Sequence, residues 1–428
     1  MNGTIKKYLF NTSWLLLEKL FRMIIGLLVV VWVTRYLGPE QFGVFSYSQS
    51  FVAIFTVVAS LGLDAIVVKE LVQKNYDKED VLGTSFILKL AASIFVISFS
   101  IITAYALNSY SETLLYIAII SLGIIFSSFN VIDFYFQSEV KSKYVVFSNI
   151  TVILVSSIVK ICCILLEKPL IYFVLISLLD SMLFVFLLLN FYIRKKATNI
   201  KKWKFNKALA KLMLIQSTPL VIAGIVNSMQ MKIDTLMISH YLGSIQVGYY
   251  SAAVKLSEVW FGVGVVICNS LFPAIIKAKN ISKESYDHKM IKLYQWLTAG
   301  ALIVSVVVYF ISDNIIYILY GSEFTSASSV LSIHIFSSIF VFMGVASGRW
   351  LVNEHLTKIS FYRNIIALIV NLILNIVLIQ TVGIEGAAIA SLISYIVGFY
   401  LFDILIVKTR HMFYMKSRAL LFLGFIPK

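Results

Sequence analysis

The sequence predicts an all-α membrane protein of about twelve transmembrane helices, arranged as two six-helix bundles. Three observations predict it: an apolar composition, twelve apolar runs of spanning length, and a motif that recurs at half the chain length. Of the 428 residues, 60% are hydrophobic and 13% charged, and the mean hydropathy is +0.90. Soluble domains hold roughly 45–50% apolar residues, so a water-facing fold has no place for this much apolar surface. A helix needs about 20 mostly apolar residues to cross a bilayer, and runs of that length follow one another along the chain.

The first run, 11–34, follows Lys6 and Lys7, but Glu18 and Arg22 interrupt it and no small-residue cleavage site follows. It reads as a retained first helix and not a signal peptide. The second, 43–67, ends before a basic loop at 69–78, and the third and fourth, 83–107 and 113–137, precede Lys141 and Lys143. The fifth and sixth, 144–166 and 169–193, lead into the most basic stretch of the chain, 194–211. The seventh, 209–239, is overlong and is expected to begin in the interface. The eighth and ninth, 248–276 and 290–312, flank basic residues at 277–292, and the tenth and eleventh, 328–348 and 359–380, flank those at 349–363. After the twelfth, 386–407, the tail 408–428 is basic and apolar but too short to span, which fits an interfacial segment or a span cut short. A transmembrane barrel is excluded, because it needs alternating strands of about ten residues, whereas Ile24 to Val33 is apolar on every side.

The basic residues give the orientation. Of 36 lysines and arginines, 28 fall at the N-terminus and in every second loop, and the intervening loops hold only Arg35 and Lys168. This positive-inside asymmetry places both termini and the 194–211 segment in the cytoplasm. A net charge of +15 could suggest nucleic acid, but no loop is long enough to form a folded basic domain, so nucleic acid is not an expected partner.

Self-comparison shows the duplication. Tyr36-Leu37-Gly38, Gly43 and Ser46 recur as Tyr241-Leu242-Gly243, Gly248 and Ser251 at a constant offset of 205. Ser142-Lys143 and Asn149-Ile150 resemble Thr357-Lys358 and Asn364-Ile365 at an offset of 215. Because six is even, both halves enter the membrane with one orientation, related by a pseudo-twofold along the membrane normal. The domains are then an N-terminal bundle, 1–193; a basic linker, 194–208; a C-terminal bundle, 209–407; and the tail.

Charges inside spans cost roughly 2.5–3.5 kcal/mol at a helix centre, so each needs a partner or a wet cavity. Arg22 is the deepest cation; it either pairs with Glu18 one turn away or lines a solvated cavity, and Lys19 adds an excess positive charge. Lys232 and Asp234 point about 200° apart on helix seven, so only one of them faces a shared cavity. On helix eight Lys255 either bonds to Glu258 or faces the cavity. Asp180 either neutralises Lys160 or takes part in ion coupling, for which Asp64 and Asp234 are the other candidates. Lys89 and Lys160 lie within reach of snorkelling to the interface. Cations from helices one, seven and eight together suit an anionic ligand such as a phosphate or pyrophosphate, arginine best of all.

Catalytic chemistry is sparse. The external loops offer Glu40, Glu167, Asp313 and Glu323 without close pairing, and the five histidines show no metal-ligand spacing. No P-loop is present, and Cys162, Cys163 and Cys268 are expected to be buried packing residues. A carrier without cofactor or metal, not an enzyme, is the expectation, driven by an ion gradient, the membrane potential or the ligand's own gradient.

Arg35-Tyr36-Leu37-Gly38-Pro39-Glu40-Gln41-Phe42-Gly43, Ser60-Leu61-Gly62-Leu63, Asp234-Thr235-Leu236 and Tyr320-Gly321-Ser322-Glu323-Phe324 carry a resemblance that runs across nearly the whole chain. It resembles the Wzx-type polysaccharide repeat-unit flippases of the multidrug, oligosaccharidyl-lipid and polysaccharide exporter superfamily. The resemblance implies two bundles around a cationic cavity in a bacterial inner membrane. It also implies alternating-access transfer of an undecaprenyl-pyrophosphate-linked oligosaccharide to the outer leaflet, for O-antigen, lipopolysaccharide or capsule synthesis. Arg22, Lys232 and Lys255, with Lys19, would then bind the pyrophosphate, and a polysaccharide polymerase and a chain-length regulator would be partners beside the membrane lipids. Two alternatives stand beside it: a cation-coupled multidrug exporter of the same fold, and a membrane glycosyl- or acyltransferase.

Overall fold

In the computed structural model, residues 3–107, 111–195, 200–279 and 281–421 are described, and no strand occurs among them. The side chains of Lys6 and Lys7, residues 196–199 of the expected linker and 422–428 of the tail lie outside the described residues. In chain order the α-helices are α1 (Gly3–Ser60), α2 (Asp64–Gln73), α3 (Lys78–Ala106), α4 (Ser111–Phe126), α5 (Val131–Ser138), α6 (Lys143–Leu165), α7 (Leu170–Arg194) and α8 (Lys207–Leu242). They continue with α9 (Ser244–Lys279), α10 (Lys283–Tyr320), α11 (Ala327–His334), α12 (Ser337–Asn353), α13 (Thr357–Val382), α14 (Ile384–Ile396), α15 (Phe402–Leu405) and α16 (Arg410–Leu420).

Among the described residues ten helical stretches are long and apolar enough to cross a membrane, and eleven if α11 and α12, bent by 41°, form one crossing. The first stretch, Glu18–Gln73, is 56 residues long. As ideal helix that is about 84 Å, nearly three times the ~30 Å hydrocarbon core. Gly38, at φ 70° and ψ 173°, breaks it before Pro39, so this stretch is two helical arms and not one straight helix, beside an expectation of about twelve crossings.

The chain forms two compact units. The first comprises Met1–Leu37 and Val44–Lys232, the second Gly38–Gly43 and Ile233–Lys428. Their boundary falls inside α8, not in the basic 194–208 segment. Glycines draw the first half of α8 onto α1 and the turn after it: a Cβ at Gly224 would come within 2.7 Å of Val57 Cγ1, one at Gly62 would come within 3.0 Å of Leu220 Cβ, and Ser228 Oγ donates to the Ala53 carbonyl at 3.4 Å. Small residues permit such backbone approach where dispersion, not water exclusion, drives helix association. In the first unit Leu63, Val67, Leu82, Val131, Phe136 and Tyr192 form the buried core. In the second, Tyr294, Leu297, Phe342, Met343, Leu351 and Met412 do so.

The duplication extends to backbone detail. Val140 and His355, 215 residues apart, both take left-handed φ values, 55° and 58°. The amide after each bonds five residues back, Lys141 N to Phe136 O and Leu356 N to Leu351 O, both at 2.8 Å. The acid before each turn holds a lysine: Glu139 binds Lys78 at 2.8 Å and Glu354 binds Lys279 at 2.6 Å. The Lys78 hydrogen bond holds the Glu139 carboxyl below its ordinary range. The fourth crossing of each half is also broken alike. Ser127–Asn130 form a 3-10 turn between α4 and α5, and Ser93 Oγ on α3 donates to Ile124 O at 3.2 Å and meets Ser128 Oγ at 3.3 Å. In the second unit Ser305 Oγ on α10 donates to Ile335 O at 3.1 Å, in the bend between α11 and α12, and meets Ser338 Oγ at 3.3 Å.

Two expectations are corrected. Lys89 does not snorkel: it is 1% exposed, 3.4 Å from Asp64 and 4.8 Å above the Phe134 ring, because Asp64, at the start of α2, brings a counter-charge within reach. Cys162 is exposed, whereas Cys163 and Cys268 are buried.

Candidate functional site

Among the described residues of the first unit, several charged side chains within the spans are paired. Glu18 is buried, and Arg22, one turn later on α1, donates to it through Nη2, as the i,i+4 spacing allows. The guanidinium is not used up, since 54% of the Arg22 side chain remains exposed. Lys19 beside it is half-buried. Asp64 meets Lys89, as above, and keeps 61% of its side chain exposed. Lys160 Nζ lies 3.7 Å from Asp180 Oδ2, which also accepts from Ser156 Oγ at 2.9 Å. Lys232, Lys255 and Glu258 are half-buried, and each interacts with a neighbour.

A buried constellation in the second unit centres on Asp234. Its Oδ2 accepts from Tyr250 OH on α9 at 2.6 Å and from Ser391 Oγ on α14, while Oδ1 accepts from Asn375 Nδ2 on α13 at 2.6 Å. Asn375 Nδ2 also reaches Asn371 Oδ1 at 3.0 Å, and Asn371 Nδ2 reaches Ser391 Oγ at 3.4 Å. All five side chains are buried. The close approach of α14 to α13 makes this possible, because Gly386 abuts the Leu378 carbonyl where any Cβ would overlap it. Asn375 Oδ1 is buried without a partner, an exception of the kind that costs about 1–3 kcal/mol when unsatisfied. Nearby His334 shares a hydrogen bond with Ser257 Oγ at 2.7 Å.

Carboxylate, amide and hydroxyl oxygens packed together are hard donors, suited to a hard cation or a proton and not to soft transition metals. No group of three or more His, Cys, Asp or Glu with metal-ligand geometry occurs among the described residues. Of the coupling candidates, Asp234 is therefore the one held in an oxygen-rich, dry environment, where an ionised carboxylate is tolerated only with such hydrogen bonding.

A second buried network in the same unit ties down the tail. Lys416 on α16 donates to Asp403 Oδ2 at 2.6 Å and to the Phe399 carbonyl at 2.7 Å, and both charged groups have fully buried side chains. Burial pushes the Lys416 ammonium down to about 8, against the opposing pull of Asp403. Arg363 is buried too, donating to Ser347 Oγ at 2.6 Å and stacking its guanidinium 4.9 Å from the Phe399 ring centre. A π-helical turn at Val397–Leu401 brings Phe399 and its carbonyl to these two cations. The tail through Leu420 is thus a docked helix with Met412, Met415, Lys416 and Ala419 buried.

Sequence reasoning singled out Asp234 but missed its companions Tyr250, Asn371, Asn375 and Ser391, and it counted Arg363 and Lys416 among loop and tail cations. Asn371 and Asn375 were accessible as signals: two amides one helical turn apart in an apolar run are costly unless they meet something polar. Asp403, inside the twelfth run, was another.

Known proteins can be set beside this geometry. A family model described as "Polysaccharide biosynthesis protein" matches residues 8–279, and a second, described as MatE, matches residues 219–377. The chain is 26% identical over 399 residues to the "Probable low-salt glycan biosynthesis flippase Agl15" of Haloferax volcanii, covering 90% of this chain and 80% of that one. It is 21% identical over 397 residues to the "Capsular polysaccharide biosynthesis protein CapF" of Staphylococcus aureus, covering 91% and 96%. Among solved structures it matches the inward closed conformation of the lipid II flippase MurJ with a TM-score of 0.75 and 17% identity, over 96% of this chain and 93% of that one. That likeness is one of fold: helices in two bundles, as in a transporter.

Proposed function

Because the chain belongs to the polysaccharide biosynthesis protein family, we propose that it is a flippase. Its substrate is an isoprenyl-pyrophosphate-linked oligosaccharide, which it carries from the cytoplasmic to the outer leaflet by alternating access for surface polysaccharide assembly. The multi-pass helical architecture and the flippase names of its relatives support the reading. The observation that carries it is Arg22: a guanidinium within a span, bonded on one side to Glu18 yet still half exposed, keeps N–H donors for a diphosphate. A planar, permanently charged fork suits that ligand. Lys19 adds charge one residue from Glu18, and Lys232 and Lys255 are further cations proposed to meet the headgroup. The positive-inside pattern supports a plasma-membrane protein with both termini in the cytoplasm and the basic 194–208 segment as cytoplasmic linker between bundles 1–193 and 209–407.

Movement against a gradient needs a driver, and the Asp234 cluster supplies a candidate. A proton or a small hard cation exchanging at Asp234, Asn371, Asn375 and Ser391 would couple its own gradient to the conformational cycle, since a bound species shifts an equilibrium by its differential affinity for the two states.

The MatE match over 219–377 and the same cluster favour a second reading, a cation-coupled exporter of drug-like molecules. Deleting the protein from its host separates the two. A flippase deletion accumulates lipid-linked oligosaccharide on the cytoplasmic face and strips the cell surface of the polymer; unchanged surface polymer would overturn the first reading. Drug sensitivity with intact polymer would establish the second.

A further inference from the structure

The first unit contains a cavity of about 390 Å³ between the second arm of α1, the broken α4–α5 crossing and α7, within the ~300–1,000 Å³ of small-molecule sites. None of its lining residues is charged. Its polar lining is Gln49, Thr56, Ser127, Asn130, Ser177 and Ser181. It lies deep: Ser177 to Val185 are about 10–22 Å along α7 from its start at Leu170, against a hydrocarbon core of about 30 Å. A polar hollow at such depth has to be matched by something polar, because unpaired groups in hydrocarbon cost several kilocalories.

The donors and acceptors are unevenly used. Thr56 and Ser127 give their protons to carbonyls of their own helices, Val52 O at 2.8 Å and Ile124 O at 2.7 Å. Ser177 and Ser181 do the same at 3.3 and 3.4 Å. Each oxygen therefore remains an acceptor. Gln49 and Asn130, by contrast, have no side-chain hydrogen bond among the described residues, so two whole amides, each with donor and acceptor, line the hollow. The 3-10 turn Ser127–Asn130 changes the helical phase there, bringing Ser127 and Asn130 to the cavity together. Gly123 makes room: a Cβ there would sit 3.4 Å from Ser181 Oγ. Phe126 and Phe184 supply flat apolar walls.

Free amides, acceptor hydroxyls, aromatic faces and no charge match a neutral ligand bearing many hydroxyls and apolar C–H faces. We propose that this cavity is a saccharide subsite, holding a sugar ring of the lipid-linked oligosaccharide apart from its charged diphosphate. The assignment rests on the flippase reading above and deepens it: Gln49 and Asn130 would discriminate between sugars, whereas Arg22 is proposed to recognise what all such lipids share.

The test uses the full-length chain in lipid nanodiscs and two synthetic probes, a short polyprenyl pyrophosphate with and without one N-acetylhexosamine. The wild type should bind the sugar-bearing probe at least about tenfold more tightly, roughly one or two well-made hydrogen bonds. Gln49→Leu and Asn130→Leu should erase most of that gain and leave the affinity for the bare pyrophosphate unchanged. Ser181→Ala gives the same comparison with minimal disturbance should the leucine variants fail to fold, as judged by their thermal midpoints. Equal wild-type affinity for the two probes, or an equal loss of both in the variants, overturns the subsite while leaving the flippase reading intact. Binding of neither probe by the wild type overturns the flippase reading and the subsite with it.

Discussion

Gly248 lies so close to Pro39 that a Cβ on the glycine would overlap the proline carbonyl, and the relation is reciprocated 205 residues earlier, where Gly43 lies against the Ser244 carbonyl. Ser244 is the counterpart of Pro39 in the repeat and Gly248 that of Gly43. The duplicated motif therefore packs against its own copy, which explains why Gly38–Gly43 belongs with the second unit. Turn glycines account for the positive φ of 70° at Gly38 and 87° at Gly243, but Gly43 and Gly248 are required by contact.

Replacing Gly248 with alanine should lower stability by about 1–3 kcal/mol, the usual cost of overpacking where backbone atoms must move. Gly243→Ala should cost about 1–2 kcal/mol for a different reason: nothing stands within 4 Å of it, but its φ is left-handed. Thermal midpoints in detergent check both, and a neutral Gly248→Ala would show that the two copies do not pack as described.

Arg22→Ala should abolish surface-polymer export, but it also strips the buried Glu18 carboxylate of its cation and should lower stability. The double variant Glu18→Gln, Arg22→Ala, which leaves no unpaired carboxylate, should therefore recover folding without recovering export. A charge reversal, Arg22→Glu, should be worse and should retain any drug export the protein has. Complementation of a deletion strain, scored for cell-surface polymer and for accumulated lipid-linked precursor, reads the difference.

Asp234→Asn keeps the shape and removes the charge. Cation-dependent stabilisation of the wild type, followed as a thermal shift across sodium concentration, should vanish in the variant. A variant that still responds like the wild type places coupling elsewhere, at Asp64 or Asp180.

Lys416→Met leaves the Asp403 carboxylate buried without its cation, a change that costs about 3–5 kcal/mol where pairs are this enclosed. The double variant Lys416→Met, Asp403→Leu should recover most of the loss. The lysine also has a pH signature. Its native value is about 8 and the unfolded value about 10.4, so between the two the unfolded chain carries the extra proton. Wild-type stability relative to the double variant should therefore rise as pH climbs from about 8 to 10 and be flat below that window. Unfolding midpoints at graded pH check this, and a difference between wild type and double variant that stays flat from about pH 8 to 10 would show that Lys416 titrates as an ordinary lysine.

The architecture was legible in the sequence because its cause is local. Apolar runs such as Ile24 to Val33 have one solvent to choose, and a lipid environment compels the backbone in each to satisfy itself as helix. The repeat was legible because left-handed turns and close contacts admit few residue types, so Gly38 and Gly243 kept their places in both copies. Glu18 with Arg22 was legible at one-turn spacing, and Asp234 as an acid in an apolar run.

Pairings between helices were not legible. Nothing within α13 announces that Asn375 meets Asp234, 141 residues away, or within α16 that Lys416 is buried against Asp403 instead of lying at the membrane surface. The same holds for Lys89 and Asp64. Within one helix, periodicity fixes which residues share a face; which face meets which neighbour depends on crossing geometry set by Gly62, Gly224 and Gly386 and by breaks at Ser127–Asn130 and Val397–Leu401. Composition, span count and duplication thus follow from the chain alone, since each is decided by residues and their solvent. The enclosure of Asp234, the docking of the tail and the uncharged hollow beside Asn130 were decided by tertiary structure, since each arises only when side chains from separate helices exclude water or lipid together.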